Sequence, residues 1–95
     1  MKREWKTKWV KALTSGKYKQ GDGNLKHNER FCCLGVLREL GPKEQRTQVC
    51  ENIEYLTGPQ LAIYGLMHNE QKALGQLNDD QVPFEVIAGL INEAL

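Results

Sequence analysis

The chain has 95 residues, 40% of them hydrophobic and 26% charged, with a net charge of +1. That fits one small globular domain over residues 1–95 with a single core. No apolar run reaches the ~20 residues that cross a bilayer, and the start, MKREWKTKWVKAL, has no unbroken apolar stretch of a secretory leader.

The charge is distributed unevenly. Residues 1–19 carry a net +6 and residues 51–95 a net −6. Either the two ends fold against each other, or two surfaces meet two kinds of partner. The three cysteines are an odd number, as expected of a chain in a reducing cytosol.

Arg3 to Thr14 is predicted as a helix. Trp5, Trp9 and Leu13 recur every four residues, and Lys6, Lys8 and Lys11 fall away from that stripe. Ser15-Gly16 ends it, with Gly16 suited to a left-handed cap. Gly21-Asp22-Gly23, between Tyr18 and Leu25, is a strong turn signal. A second turn at His27-Asn28-Glu29 brings Arg30-Phe31 back beside Leu25. Together they predict a small β-hairpin or ordered loop near residues 18–31.

In FCCLGVLREL, Cys33, Val36, Leu37 and Leu40 make one helical face, widened by Leu34, and Gly41-Pro42 stops the helix. Gly35 allows a neighbour to come close. The polar stretch after it reads as loop, with a strand or short helix between Val49 and Leu56. TGPQLAIYGL predicts a short helix, capped by Thr57 or Gly58, with Pro59 in its first turn and Gly65 at its end. Asn69 starts another, through Leu77, burying Ala73, Leu74 and Leu77. A last helix runs from near Pro83, with Phe84, Ile87, Ala88, Ile91 and Leu95 in register. Val86 and Leu90 lie off that stripe, which implies a wide buried face or a second contact surface. The fold class is mainly α, about five short helices with the small hairpin, and α+β is the alternative.

No constellation amounts to an active site, so the chain is read as a non-enzyme without cofactor or metal. Adjacent Cys32 and Cys33 at a helix start point about 100° apart, a poor chelate, and His27 and His68 lack ligand spacing. Packing accounts for Cys33, and a helix start that lowers its pKa leaves a reactive thiol open at Cys32. The glycines at Gly21 and Gly23 match no phosphate-binding fingerprint. Asp79-Asp80 is expected to cap the last helix and favour its N-terminus. The lysines and tryptophans of the first helix suit nucleic acid, but the tryptophan stripe is better explained by burial.

The blocks WVKALTSGKYKQGDGNL, FCCLGVLREL, YLTGPQLAIYGL and LGQLNDDQVPFEVIAGLI cover most of the chain. In them the chain resembles a family of small uncharacterised proteins of tailed phages and prophages. The matching positions include Trp9, Ser15-Gly16, Tyr18, Gln20-Gly21, the Phe31–Leu37 run, Leu77-Asn78-Asp79, Phe84 and Ile87-Ala88. Arg38-Glu39, Thr57-Gly58-Pro59 and Tyr64 depart from the family pattern. The resemblance implies a phage accessory protein in the host bacterial cytoplasm, and it transfers no functional residue.

The leading expectation is a protein that binds and modulates a host protein, as an anti-defence factor such as an anti-CRISPR or as a host-takeover inhibitor. Nucleic-acid binding through the basic first helix is the alternative. A small-molecule sponge or thiol-dependent enzyme around Cys32 and the glycine loop is a third. Two surfaces are expected to bind. One joins Lys6, Lys8, Lys11, Lys17, Tyr18, Lys19, Asp22 and Asn24. The other is acidic, with Glu70, Asp79, Asp80 and Glu85. Val86 and Leu90 leave room for a homodimer.

Overall fold

The computed structural model describes residues 1–42 and 54–95. Among them are five helices and a three-stranded sheet of two-residue strands, so the class is mainly α with a small β part. The expected strand or helix from Val49 falls largely outside the described residues, although Leu56 is buried.

Helix α1 spans Arg3–Thr14. Its stripe faces inward as the spacing requires: Trp9 and Leu13 are buried, and Trp5 packs edge-on against Tyr64, with ring centroids 4.9 Å apart. The indole N–H of Trp9 donates to the carbonyl of Cys33 at 2.8 Å, so its one polar atom is satisfied in the core. Gly16, at φ +78°, follows the helix as expected.

The strands are β1 (Lys19–Gln20), β2 (Lys26–His27) and β3 (Arg30–Phe31), in the order β1-β3-β2. β2 pairs antiparallel with β3, Lys26 opposite Phe31 and His27 opposite Arg30, while β1 pairs parallel with β3. The hairpin therefore turns at Asn28-Glu29, both at positive φ, as a two-residue turn with left-handed central residues. The Gly21–Gly23 segment is no hairpin turn. It carries the chain from β1 across to β2, and Gly21 donates to the Phe31 carbonyl at 2.8 Å.

Helix α2 spans Cys33–Leu40, and Cys33 through Arg38 are all buried. Gly35 is the point of closest approach, since a Cβ there would overlap the carbonyl oxygen of Leu25. Helix α3, Gly58–Tyr64, has the expected punctuation. Thr57 and Gln60 form a reciprocal capping box, Pro59 sits in the first turn, and Gly65 closes the helix in the left-handed region. Helix α4, His68–Asp79, begins one residue before the expected cap at Asn69. The Glu70 carboxylate accepts from the Met67 N–H at 2.8 Å and sets that start. Helix α5 spans Phe84–Ala94 and buries Phe84, Ile87, Ala88 and Ile91.

Helix α1 packs chiefly on α5 and also on α2, α2 packs on α4, and α4 on α5. The sheet lies at one end, joined to α2 through β3. The inner face of α4 departs from the expectation. Leu74 is buried and Leu77 half-buried, but Ala73 is exposed, and Gln71, Gly75 and Asn78 lie in the core instead.

Candidate functional site

The opened question of the cysteine pair has a structural answer. Cys32 is the N-cap of α2, and its sulfur accepts the Gly35 N–H at 3.4 Å. It is 4% exposed, and burial pushes its pKa up to about 11 against the opposing backbone hydrogen bonds from Gly35 and Leu34. The helix start does not lower it as expected, because desolvation of a thiolate outweighs the helix-end field here. Cys33 is fully buried and its thiol is also raised well above its ordinary value, first by burial and then by Cys32. The crevice beside Cys32, lined also by Gly23, Gly75 and Asp79, holds about 10 Å³, too little for a substrate. His27 bonds to Asn28 and His68 to Gln71, and neither lines the crevice beside Cys32. Among the described residues no group of three or more His, Cys, Asp or Glu side chains is placed to hold a metal ion.

A buried carboxamide network joins the sheet to the two C-terminal helices. Asn78, 1% exposed, accepts the Cys33 N–H and the Gln20 side-chain amide, both at 3.1 Å, and donates to the Gly21 carbonyl at 2.7 Å. Gln20 also donates to the Val82 carbonyl at 2.7 Å and accepts the Phe84 N–H at 3.2 Å. Gln71 repeats the device at the other end of α4, accepting the Leu56 N–H and donating to the Leu56 carbonyl. Sequence reasoning missed all three amides. The available signal was spacing: Gln71, Leu74, Gly75 and Asn78 stand at i, i+3, i+4 and i+7, one helical face. An open polar cleft of about 340 Å³ lies over this network, lined by Gln20, Gly21, Asp22, Arg30, Asn78 and Gln81.

The expected acidic surface is divided among separate hydrogen bonds. Glu70 caps α4, Asp79 accepts the Gly23 N–H at 2.9 Å, and Asp80 accepts the Gln76 amide at 3.1 Å. Neither aspartate caps α5. The first N–H of that helix is held by Gln20, while both aspartates sit at the C-terminal end of α4. Glu85 is exposed on the outer side of α5. Beside it on that side are Val86 and Leu90, 51% and 40% exposed, and Gly89, where an added Cβ would meet nothing within 4 Å.

The expected basic surface is brought together more closely. Lys8, Lys11, Lys17 and Tyr18 line one shallow cleft of about 280 Å³ with Ala12 and Leu40 in its floor. Lys17, Tyr18, Lys19, Lys26 and Phe31 line a second of the same size, so the two adjoin at Lys17 and Tyr18. Tyr18 and Phe31 meet edge to face at 5.2 Å. Lys17 stands 5.6 Å from the Tyr18 ring centre and Lys26 5.3 Å from that of Phe31. Lys6 is half-buried and lines neither cleft, and Asp22 and Asn24 lie away from both, Asp22 in the polar cleft. Lys26 and Phe31 join because β2 and β3 pair them directly. Arg38, by contrast, is withdrawn from any basic surface. It is 3% exposed, and desolvation lowers its pKa.

A family model described as a domain of unknown function, DUF8296, matches residues 1–62. No curated protein and no solved structure matches the chain.

Proposed function

The chain belongs to the DUF8296 family, whose function is unknown; we propose that it is a small phage accessory protein that binds and modulates a host bacterial protein. The observation that carries this reading is the outer side of α5. Val86 and Leu90, four residues apart, form an exposed aliphatic step beside Glu85 and Glu93. Between them stands Gly89, in the middle of a helix where glycine is less favourable than alanine by about 1 kcal/mol. The fold itself has no need of it, since the space beyond is open. A flat aliphatic strip at that cost suits a partner whose own backbone packs closely against it. The resemblance of the cysteine-pair block and its companions to tailed-phage proteins supports the setting in a host bacterium. Burial of both described cysteines favours binding over thiol chemistry.

The test is capture from a lysate of a susceptible bacterium, comparing the parent chain with Val86→Glu/Leu90→Glu. The parent is expected to retain one host protein in stoichiometric amount, and the exposed double variant to fold normally and release it. Equal retention by both would overturn the reading. So would a parent that sediments as a homodimer which the double variant breaks, because the strip would then face a second copy of the chain.

A further inference from the structure

We propose that the lysine-lined double cleft on the opposite kind of surface binds single-stranded nucleic acid. This site shares no residue with the outer side of α5. Five lysines from three separate parts of the chain, Lys8 and Lys11 on α1, Lys17 and Lys19 before and in β1, and Lys26 on β2, converge on it. Among the described residues that line the two clefts, Glu29 is the one carboxylate. Cations that repel one another gather at a cost unless an anion joins them, and a continuous track of this kind complements a phosphate backbone.

The centre of the track is aromatic. Tyr18 and Phe31 are only partly buried, so each leaves ring surface at the cleft. Their covering groups are the mobile ends of exposed lysines at 5.6 and 5.3 Å, which a base is able to displace while the ammonium moves to a phosphate. Rings flanked by lysines on a shallow floor are the elements of a stacking platform, and unstacked bases supply the matching faces. A duplex hides those faces, and an acidic peptide offers none, so a single strand is the occupant that uses both the charge and the rings. The two clefts, of about 280 Å³ each, open side by side and share Lys17 and Tyr18. That gives a short run of nucleotides one continuous path.

The test is fluorescence anisotropy with a labelled 12-nucleotide oligothymidylate in 50 mM salt, against the same length of duplex and against polyglutamate. The full chain is expected to bind the single strand at least tenfold more tightly than either competitor. The log–log salt slope should be about −3, as for roughly four neutralised phosphates at −0.7 each. Lys17→Glu/Lys26→Glu should weaken binding at least tenfold, and Lys2→Glu, exposed and outside the clefts, should have far less effect. Tyr18→Leu should weaken binding about tenfold at an unchanged salt slope, while Tyr18→Trp retains it. No binding at 50 mM salt, equal or tighter binding of duplex or polyglutamate, or equal losses from Lys2→Glu and the cleft pair would each overturn the proposal. None of those results bears on the α5 surface, which is tested by a different pair of residues.

Discussion

The side-chain carbonyl of Asn78 accepts the backbone N–H of Cys33 at 3.1 Å, across 45 residues of sequence. This bond serves the first turn of α2, where the N–H groups have no partner within the helix. Cys32, the formal cap, accepts the Gly35 N–H through its sulfur. The cap of the central helix is thus shared between a local sulfur and a distant amide.

Asn78→Ala is therefore expected to be costly. It strands the buried Cys33 N–H, removes the donor to the half-buried Gly21 carbonyl and takes one acceptor from Gln20. A loss of about 3 kcal/mol follows from unsatisfied buried groups of this kind. Urea unfolding is the measurement. A loss below about 1 kcal/mol would mean that water reaches these groups through the polar cleft.

Gly35 and Gly89 should respond in opposite directions to alanine. At Gly35 the added methyl overlaps the Leu25 carbonyl, and that carbonyl also accepts the Cys32 N–H, so neither strand nor helix moves freely. Gly35→Ala should destabilise by about 3 kcal/mol. At Gly89 the methyl enters open space, and Gly89→Ala should stabilise by up to about 1 kcal/mol. Thermal unfolding of the two variants side by side gives both signs.

Cys32 sets a dependence on alkaline pH. Its folded pKa, about 11, stands above the ordinary value of 9.0, so folding favours the neutral thiol. The contribution is complete below pH 9 and is lost as pH rises toward 11. It amounts to roughly 2–3 kcal/mol at 1.36 kcal/mol per unit. Cys32→Ser, which keeps a capping oxygen, should flatten this part of the profile relative to the parent chain. Iodoacetamide at pH 7.5, followed by peptide mapping, should label Cys32 no faster than the chain unfolds. Rapid labelling would show an accessible thiolate.

The helices were legible because their signals are local and redundant. Trp5, Trp9 and Leu13 mark a face by spacing, and Thr57, Pro59 and Gly65 mark a start and a stop by backbone chemistry. The hairpin was legible in place but not in its turn. Gly-Asp-Gly is the stronger turn signal, yet Asn28-Glu29 makes the reversal, and glutamate carries no propensity for the left-handed region it occupies. Of the three buried amides, Gln71 and Asn78 were legible only as positions on the same helical face as Leu74, and Gln20 not at all. A glutamine in a helix or strand reads as surface unless its distant partners are known, and all three find theirs in backbone groups, which every sequence contains. The basic surface was half legible, since its α1 lysines lie on one periodic face, whereas Lys26 and Phe31 reach it only through strand pairing.

The packing of α1 against α5 separates two meanings of a domain. The DUF8296 family model matches only residues 1–62, but the helix on which α1 chiefly packs begins at Phe84, and its first N–H is held by Gln20. A fragment trimmed to residues 1–62 would therefore expose its largest aromatic core residue and leave the Gln20 amide without its partners. The stretch matched by the family model is shorter than the stretch that packs as one, and expression boundaries should follow the second.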